Sequence, residues 1–373
     1  MPFQVRIKDY AVSGALIAVA ILALRLPALA APVAPGNAPK DYVVDYLLSD
    51  GSIPTEHQDL EFRNGWGIAA SPTSPWWVSV NESEVSKIYN ADGVVQDLRV
   101  VTPGAPTGIV NNEGAGFMVT DGTTSAPAKF LFAMENGQIA GWNPTVGPAP
   151  PDGQAFVVAD RSSVGASYKG LAIAQTIAGG RLYAADFHNA RVDVFDENFT
   201  LVNTIGGFAN PRLPSGMAPF GIQTLNGRIF VAYAKQDADA LDEVAGRGLG
   251  AVAVFDTDGT LLAQINQHAQ LNAPWGMAIA PVGFGAASGK LLVGNFGDGT
   301  IAVFNMTDDM LRFSPSGVLR DALSHKPIQI DGLWGIGFGN DGAAGSSKAL
   351  YFAAGPADET HGAFGRITFA ATP

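Results

Sequence analysis

The side chains best suited to chemistry in this 373-residue sequence sit in a series of short polar turns. Asp186-Phe187-His188-Asn189 is the most concentrated of these. A histidine beside a carboxylate suits a general base or a metal ligand, so His188 and Asp186 form the candidate catalytic pair. A lone turn histidine equally suits plain exposure. Asp237, Asp239, Asp242 and Glu243 set four carboxylates within seven residues, hard oxygen donors of the kind that hold Ca²⁺. Their spacing is not that of an EF-hand loop and the turn glycine is missing, so a solvated acidic loop competes with that reading. Ca²⁺ is the one cofactor these residue types suggest, and nothing else in the chain demands one. Similar turns carry Asn81 with Glu82, Asp121, Lys235, Asn295, and Asp358 with His361.

Those turns recur beside aromatics, namely Trp66, Phe220, Trp275 and Trp334. Apolar walls with a few convergent polar groups describe a ligand site. The candidate ligand-binding set is therefore Trp66, Asn81, Asp121, Lys235, Trp275, Asn295 and Trp334. The bland alternatives stay open: tryptophans wedge between sheets, and turn Asn and Asp often bond their own backbone. Other chemistries are excluded by motif. The sequence holds no Gly-x-Ser-x-Gly elbow, no His-Glu-x-x-His and no P-loop, and its five histidines lack zinc spacing. With no cysteine there is no disulfide, thiolate metal site or cysteine nucleophile.

The elements that must position these residues are written as a repeat. A small or aromatic residue, then Gly, then an aliphatic residue recurs as Trp66-Gly67-Ile68, Thr107-Gly108-Ile109, Lys169-Gly170-Leu171, Phe220-Gly221-Ile222, Trp275-Gly276-Met277 and Trp334-Gly335-Ile336. Each copy precedes an apolar strand, a polar turn and a second strand, clearest at 181–196, 228–256 and 290–305. Six such units, each of about four short strands, predict an all-β six-bladed propeller, because one blade cannot bury both faces of its sheet but six packed radially can. The unpartnered strand Tyr42–Leu47 is expected to close the ring by completing the last blade beside residues 349–369. Glycine in the motif lets backbones approach closely at the axis. The motif starts the innermost strand, and the polar turns are expected to open on the same mouth of the channel.

Composition agrees with one globular propeller. Apolar residues make up 47% and charged residues only 15%, with 45 glycines and 24 prolines; disorder needs the opposite balance. A net charge of −12 disfavours nucleic acid and anionic membrane surfaces as partners. Arg6 and Lys8, the uncharged run Ala11 to Leu24, and Ala28-Leu29-Ala30 read as a signal peptide over 1–30. The run is too short for a span of about 20 residues and Arg25 ends it. Removing Arg6, Lys8, Arg25 and Asp9, a net +2, takes −12 to −14. Residues 31–41 follow as a Pro/Ala-rich tether, and 42–373 as the propeller. The mature protein is expected in the periplasm or outside a bacterial cell, as a monomer with no membrane span.

The sequence resembles a family of exported, uncharacterised bacterial propellers, some with PEP-CTERM sorting tails. The resemblance rests on segments such as NGWGIA (64–69), YKGLAI (168–173), AADFHNARVDVFD (184–196), NAPWGMAIAP (272–281) and IDGLWGIGFGN (330–340). It implies a propeller distantly similar to NHL-repeat and gluconolactonase-like proteins, and it implies no activity. The chain ends at ITFAATP without the sorting tail of some members. The leading expectation is a module that binds a small molecule or another exported protein at the channel mouth. The alternative is a metal-dependent hydrolase or lactonase, with Asn81, Asp121, Asp186 and Asn295 as ligands and His188 as base.

Overall fold

Runs of Val, Ile, Tyr and Phe, each broken within a few residues by Gly, Asp or Asn, favour short antiparallel strands joined by tight turns. The computed structural model describes residues 41–265 and 269–370 and bears this out. The expected leader lies outside the described residues, as does the tether except for Asp41. The only helices among the described residues are single 3₁₀ turns, such as Asn81–Ser83. No helix there is long and apolar enough to cross a membrane.

The strands form a six-bladed propeller. The innermost strands are Gly65–Ala69, Pro106–Asn111, Tyr168–Thr176, Met217–Leu225, Pro274–Ile279 and Leu333–Phe338, for blades one to six. Each touches the next and the sixth returns to the first. Blade six is completed by Tyr42–Ser49, antiparallel to Ala363–Phe369 with Val44 opposite Ile367. The Tyr42 hydroxyl donates to Phe284 O at 2.9 Å and accepts from Ala287 N at 3.1 Å, pinning the closing strand to blade five.

The repeated glycines explain how the ring closes. A Cβ on Gly67 would lie 2.5 Å from Thr107 O, on Gly170 3.0 Å from Phe220 O, on Gly276 2.6 Å from Trp334 O, and on Gly335 2.7 Å from Trp66 O. Gly108 and Gly221 meet the backbone of Gly170 and Trp275 in the same way. Each motif glycine is thus the point where one inner strand rests on the next, as the sequence predicts.

Second strands read as continuous apolar runs because both faces are covered. In Arg228–Gln236, Ile229, Val231 and Tyr233 pack toward blade three, while Phe230 and Ala232 pack toward blade five. Six buried clusters fill the six spaces between blades, and a seventh lies on the axis. Each fully buried Val, Ile or Phe contributes about 1.5–3 kcal/mol, so the stability is spread around the ring.

Candidate functional site

All six inner strands run the same way along the axis, so the channel has two unlike mouths. The upper mouth is where these strands begin, and the turns between second and third strands lie beside it. The lower mouth is where they end.

The upper mouth is plugged. Trp66, Phe187, Phe220, Trp275 and Trp334 are all buried there, with Phe296 against them. Trp334 stacks on Trp66 with ring centroids 3.7 Å apart and on Phe296 at 4.0 Å. A polar layer adjoins the plug. Lys169, 3% exposed, extends its Nζ to Glu135 at 2.5 Å and Asp242 at 3.3 Å, and lies 5.4 Å from the centroid of the Trp66 ring. Asn64 accepts from Trp334 Nε1 at 3.0 Å and donates to Glu359 at 2.6 Å. Asn81 donates to Glu135 at 3.2 Å and to Pro106 O at 3.3 Å. Trp275 Nε1 donates to Lys169 O at 2.8 Å. Burial works against the Lys169 charge, yet Glu135 and its fellow carboxylates hold its pKa above the ordinary lysine value. Burial also pushes the Glu243 carboxyl up to about 7 against the pull of Lys169, and raises Glu359.

The lower mouth is open. A cavity of about 450 Å³ occupies the axis there, walled by Ile68, Ile109, Leu171 and Ile336. Asn111, Gln175 and Gln223 also line it, and Trp275 marks where it meets the plug. Glu113 is the one ionisable side chain in this lining. The size and the mix of aliphatic wall and a few amides suit a small organic ligand.

The structure separates the residues expected to act together. Trp66 and Trp334 belong to the plug, and only Trp275 of the candidate ligand set lines the cavity. Asp186 is fully buried, where it accepts from Ser167 N at 3.2 Å and Asn189 Nδ2 at 2.8 Å; burial raises its pKa. His188 turns elsewhere, with Nδ1 3.2 Å from Ala240 O in the blade-four insertion. Asn295 is buried and holds the loop at Gln270, Asn272 and Thr300. Lys235 donates to Ser215 O at 3.3 Å, and His361 meets Asp50 at 2.7 Å.

Asp121 needs a correction of place. It lies in an exposed hairpin, Met118–Thr120 with Ser125–Pro127, between the first and second strands of blade two and so on the lower side. There it accepts from Thr123 N, Thr124 N and Gly147 N. The true upper turn of blade two is Glu135-Asn136-Gly137, joining Phe130–Met134 to Gln138–Trp142. An Asn-Gly pair between two apolar strands is a strong hairpin signal, and that was the available clue.

The acidic insertion is likewise divided. Asp237 accepts from Leu241 N at 3.0 Å and Asp242 N at 3.4 Å within its own loop, and Asp239 is exposed. Asp242 pairs with Lys169, and Glu243 faces Lys169 and Glu359. Among the described residues no three His, Asp or Glu are arranged to hold a metal ion. Glu135, Lys169, Asn64 and Glu359, which build the upper mouth, were not among the candidates. Neither were Asn111, Glu113, Gln175 and Gln223 of the cavity.

No family model matches the chain. Uncharacterized protein L690 of Acanthamoeba polyphaga mimivirus is 31% identical over 320 residues, spanning 82% of this chain and 81% of L690. The chain belongs to the same family as L690. Uncharacterized protein R648 of the same virus is 29% identical over 321 residues, spanning 82% of this chain and 76% of R648. These L690-family relatives are viral, whereas the sequence resemblance pointed to exported bacterial propellers. Among solved structures, virginiamycin B lyase from Staphylococcus aureus is similar at 14% identity and a TM-score of 0.47, covering 88% of this chain and 99% of the lyase. The soluble aldose sugar dehydrogenase of Escherichia coli is similar at 12% identity and a TM-score of 0.49, with the same coverage. At those values neither enzyme's activity bears on this member of the L690 family.

Proposed function

We propose that this propeller is a binding module that takes a small organic molecule in the axial cavity at its lower mouth. One observation carries the reading: the channel is packed shut with aromatics at one end and holds about 450 Å³ of space at the other. A space of that size walled by aliphatic side chains, with amides at its edge, is what a pocket for a small ligand requires. The hydrolase alternative draws less support from the geometry. Asn81, Asp186 and Asn295 spend their polar atoms on separate partners, and Asp121 is on the other side.

The reading extends to an exported protein, on the strength of the leader-like segment 1–30. N-terminal sequencing of the protein recovered from its native host tests that part, with a start after Ala30 or Ala31 expected. The binding reading is tested by ligand-observed NMR against a diverse fragment library, followed by crystal structures of the hits. Fragments seated among Leu171, Gln175 and Gln223 are expected. A screen without hits, or hits confined to the upper mouth and outer rim, would remove the proposal.

A further inference from the structure

Resting on the reading of the lower cavity as a binding site, we infer that its ligand is a small organic cation, an ammonium group on a short apolar body. The argument starts from which polar groups remain uncommitted. Asn111 donates its Nδ2 to Lys129 O at 3.0 Å, which leaves the amide oxygen free as an acceptor. Thr224 donates its hydroxyl to Ile173 O at 2.8 Å, so that donor is spent. Gln223 Oε1 is buried with no hydrogen-bond partner among the described residues, an unmet acceptor beside the cavity. Asn112 uses its Nδ2 on Ala128 O and its Oδ1 on Gly114 N, and so offers nothing further.

Charge points the same way. Glu113 is exposed at the rim, makes no hydrogen bond or ion pair among those described, and no Lys, Arg or His lines the cavity to balance it. An anion entering here would meet a carboxylate and no cationic partner, with only the neutral amide donors of Gln175 and Gln223 to receive it. An ammonium group would meet an unpaired carboxylate and carbonyl oxygens that need donors, and charge-assisted hydrogen bonds of that kind are the stronger ones. The net charge of −12 draws cations toward the protein at long range. The aliphatic walls at Ile68, Ile109, Leu171 and Ile336 take the apolar remainder of the ligand.

The test uses one skeleton with three head groups: hexylamine, 1-hexanol and hexanoate, titrated calorimetrically into the protein at pH 7 and fixed ionic strength. Hexylamine is expected to bind at least about tenfold more tightly than hexanol, a difference of about 1.4 kcal/mol, and hexanoate most weakly. Glu113→Gln is expected to cut the amine's advantage over hexanol, taken as the ratio of the two affinities in the same variant, to under about threefold; thermal melting of the variant reports that it is folded. Equal affinity for amine and alcohol, tighter binding of hexanoate, or a full amine preference in Glu113→Gln would each overturn the cation assignment. Other neutral fragments filling the cavity while hexylamine does not would overturn it too, and leave the binding reading standing. Failure of every molecule at this cavity is the separate result that removes the binding reading itself.

Discussion

The two ends of the channel are built from the same six strands and put to opposite uses. At the upper mouth the strands start with large residues, and Trp66, Phe220, Trp275 and Trp334 fill the axis beneath an ionic layer centred on the buried Lys169. At the lower mouth the same strands end on small or aliphatic residues and amides, and the axis is left hollow. The difference teaches that repeat chemistry and site chemistry are separable here. The glycine repeated at the head of each inner strand serves closure, and the non-repeating strand ends shape the cavity. Changes at the upper mouth should therefore cost stability, and changes at the lower mouth should cost binding.

The largest effect is expected from Lys169→Met. It leaves the part-buried Glu135, Glu243 and Glu359 facing one another with no cation between them, and the cost is expected at the lower end of the about 3–5 kcal/mol typical of a broken buried charge pair. Urea denaturation measures this, and a loss below about 1 kcal/mol would mean that the upper layer is not structural.

Next comes pH. The Glu243 carboxyl is raised from 4.5 to about 7 in the folded chain, so the folded state holds its proton more tightly than the unfolded state. The associated stability is complete at low pH and is lost as pH rises through the unfolded value toward about 7, a change on the order of 3 kcal/mol. Melting of wild type against Glu243→Gln between pH 5.5 and 8 should show the wild type losing stability relative to the variant. Parallel curves would count against it.

Gly276→Ala probes the wall shared by both ends. Its Cβ would press on Trp334 O and Ile336 N, an overpacking cost of about 2 kcal/mol. Gly122→Ala in the lower hairpin meets nothing within 4 Å, so only its positive φ opposes it and its cost should be smaller. Equal melting temperatures for the two variants would contradict the closure role of the motif glycines. The smallest effect belongs to Glu113→Gln, whose stability should stay within about 0.5 kcal/mol of wild type because the side chain is exposed and unpaired. A larger loss would make the lower rim structural and erase the contrast.

How far the sequence could be read follows from the same contrast. The blade count and the closing strand were legible, because Gly67 and its five counterparts recur and Tyr42–Leu47 had no partner nearby. The plug was half legible: its tryptophans stood out, but whether they bind or pack depends on what lies against them. The ionic layer was hidden because Glu135, Lys169, Asp242 and Glu359 come from different parts of the ring and share no spacing. Asp121 was misplaced because an extra hairpin in blade two mimics the strand-turn-strand rhythm of the repeat. The cavity residues Asn111, Gln175 and Gln223 lie at strand ends where nothing repeats.

The closing strand has a consequence for how the molecule comes into being. Val44 must wait for Ile367, more than three hundred residues downstream, before blade six has its outer member. Until then Ala363–Phe369 presents an unpaired edge, and edges of that kind recruit strands from other chains. Joining them closes one very long loop, a slow and entropically costly contact compared with the hairpins inside each blade. Five blades can therefore assemble from neighbours as they are made, while the ring as a whole is sealed late, by a meeting of distant segments that any competing chain in crowded surroundings could intercept.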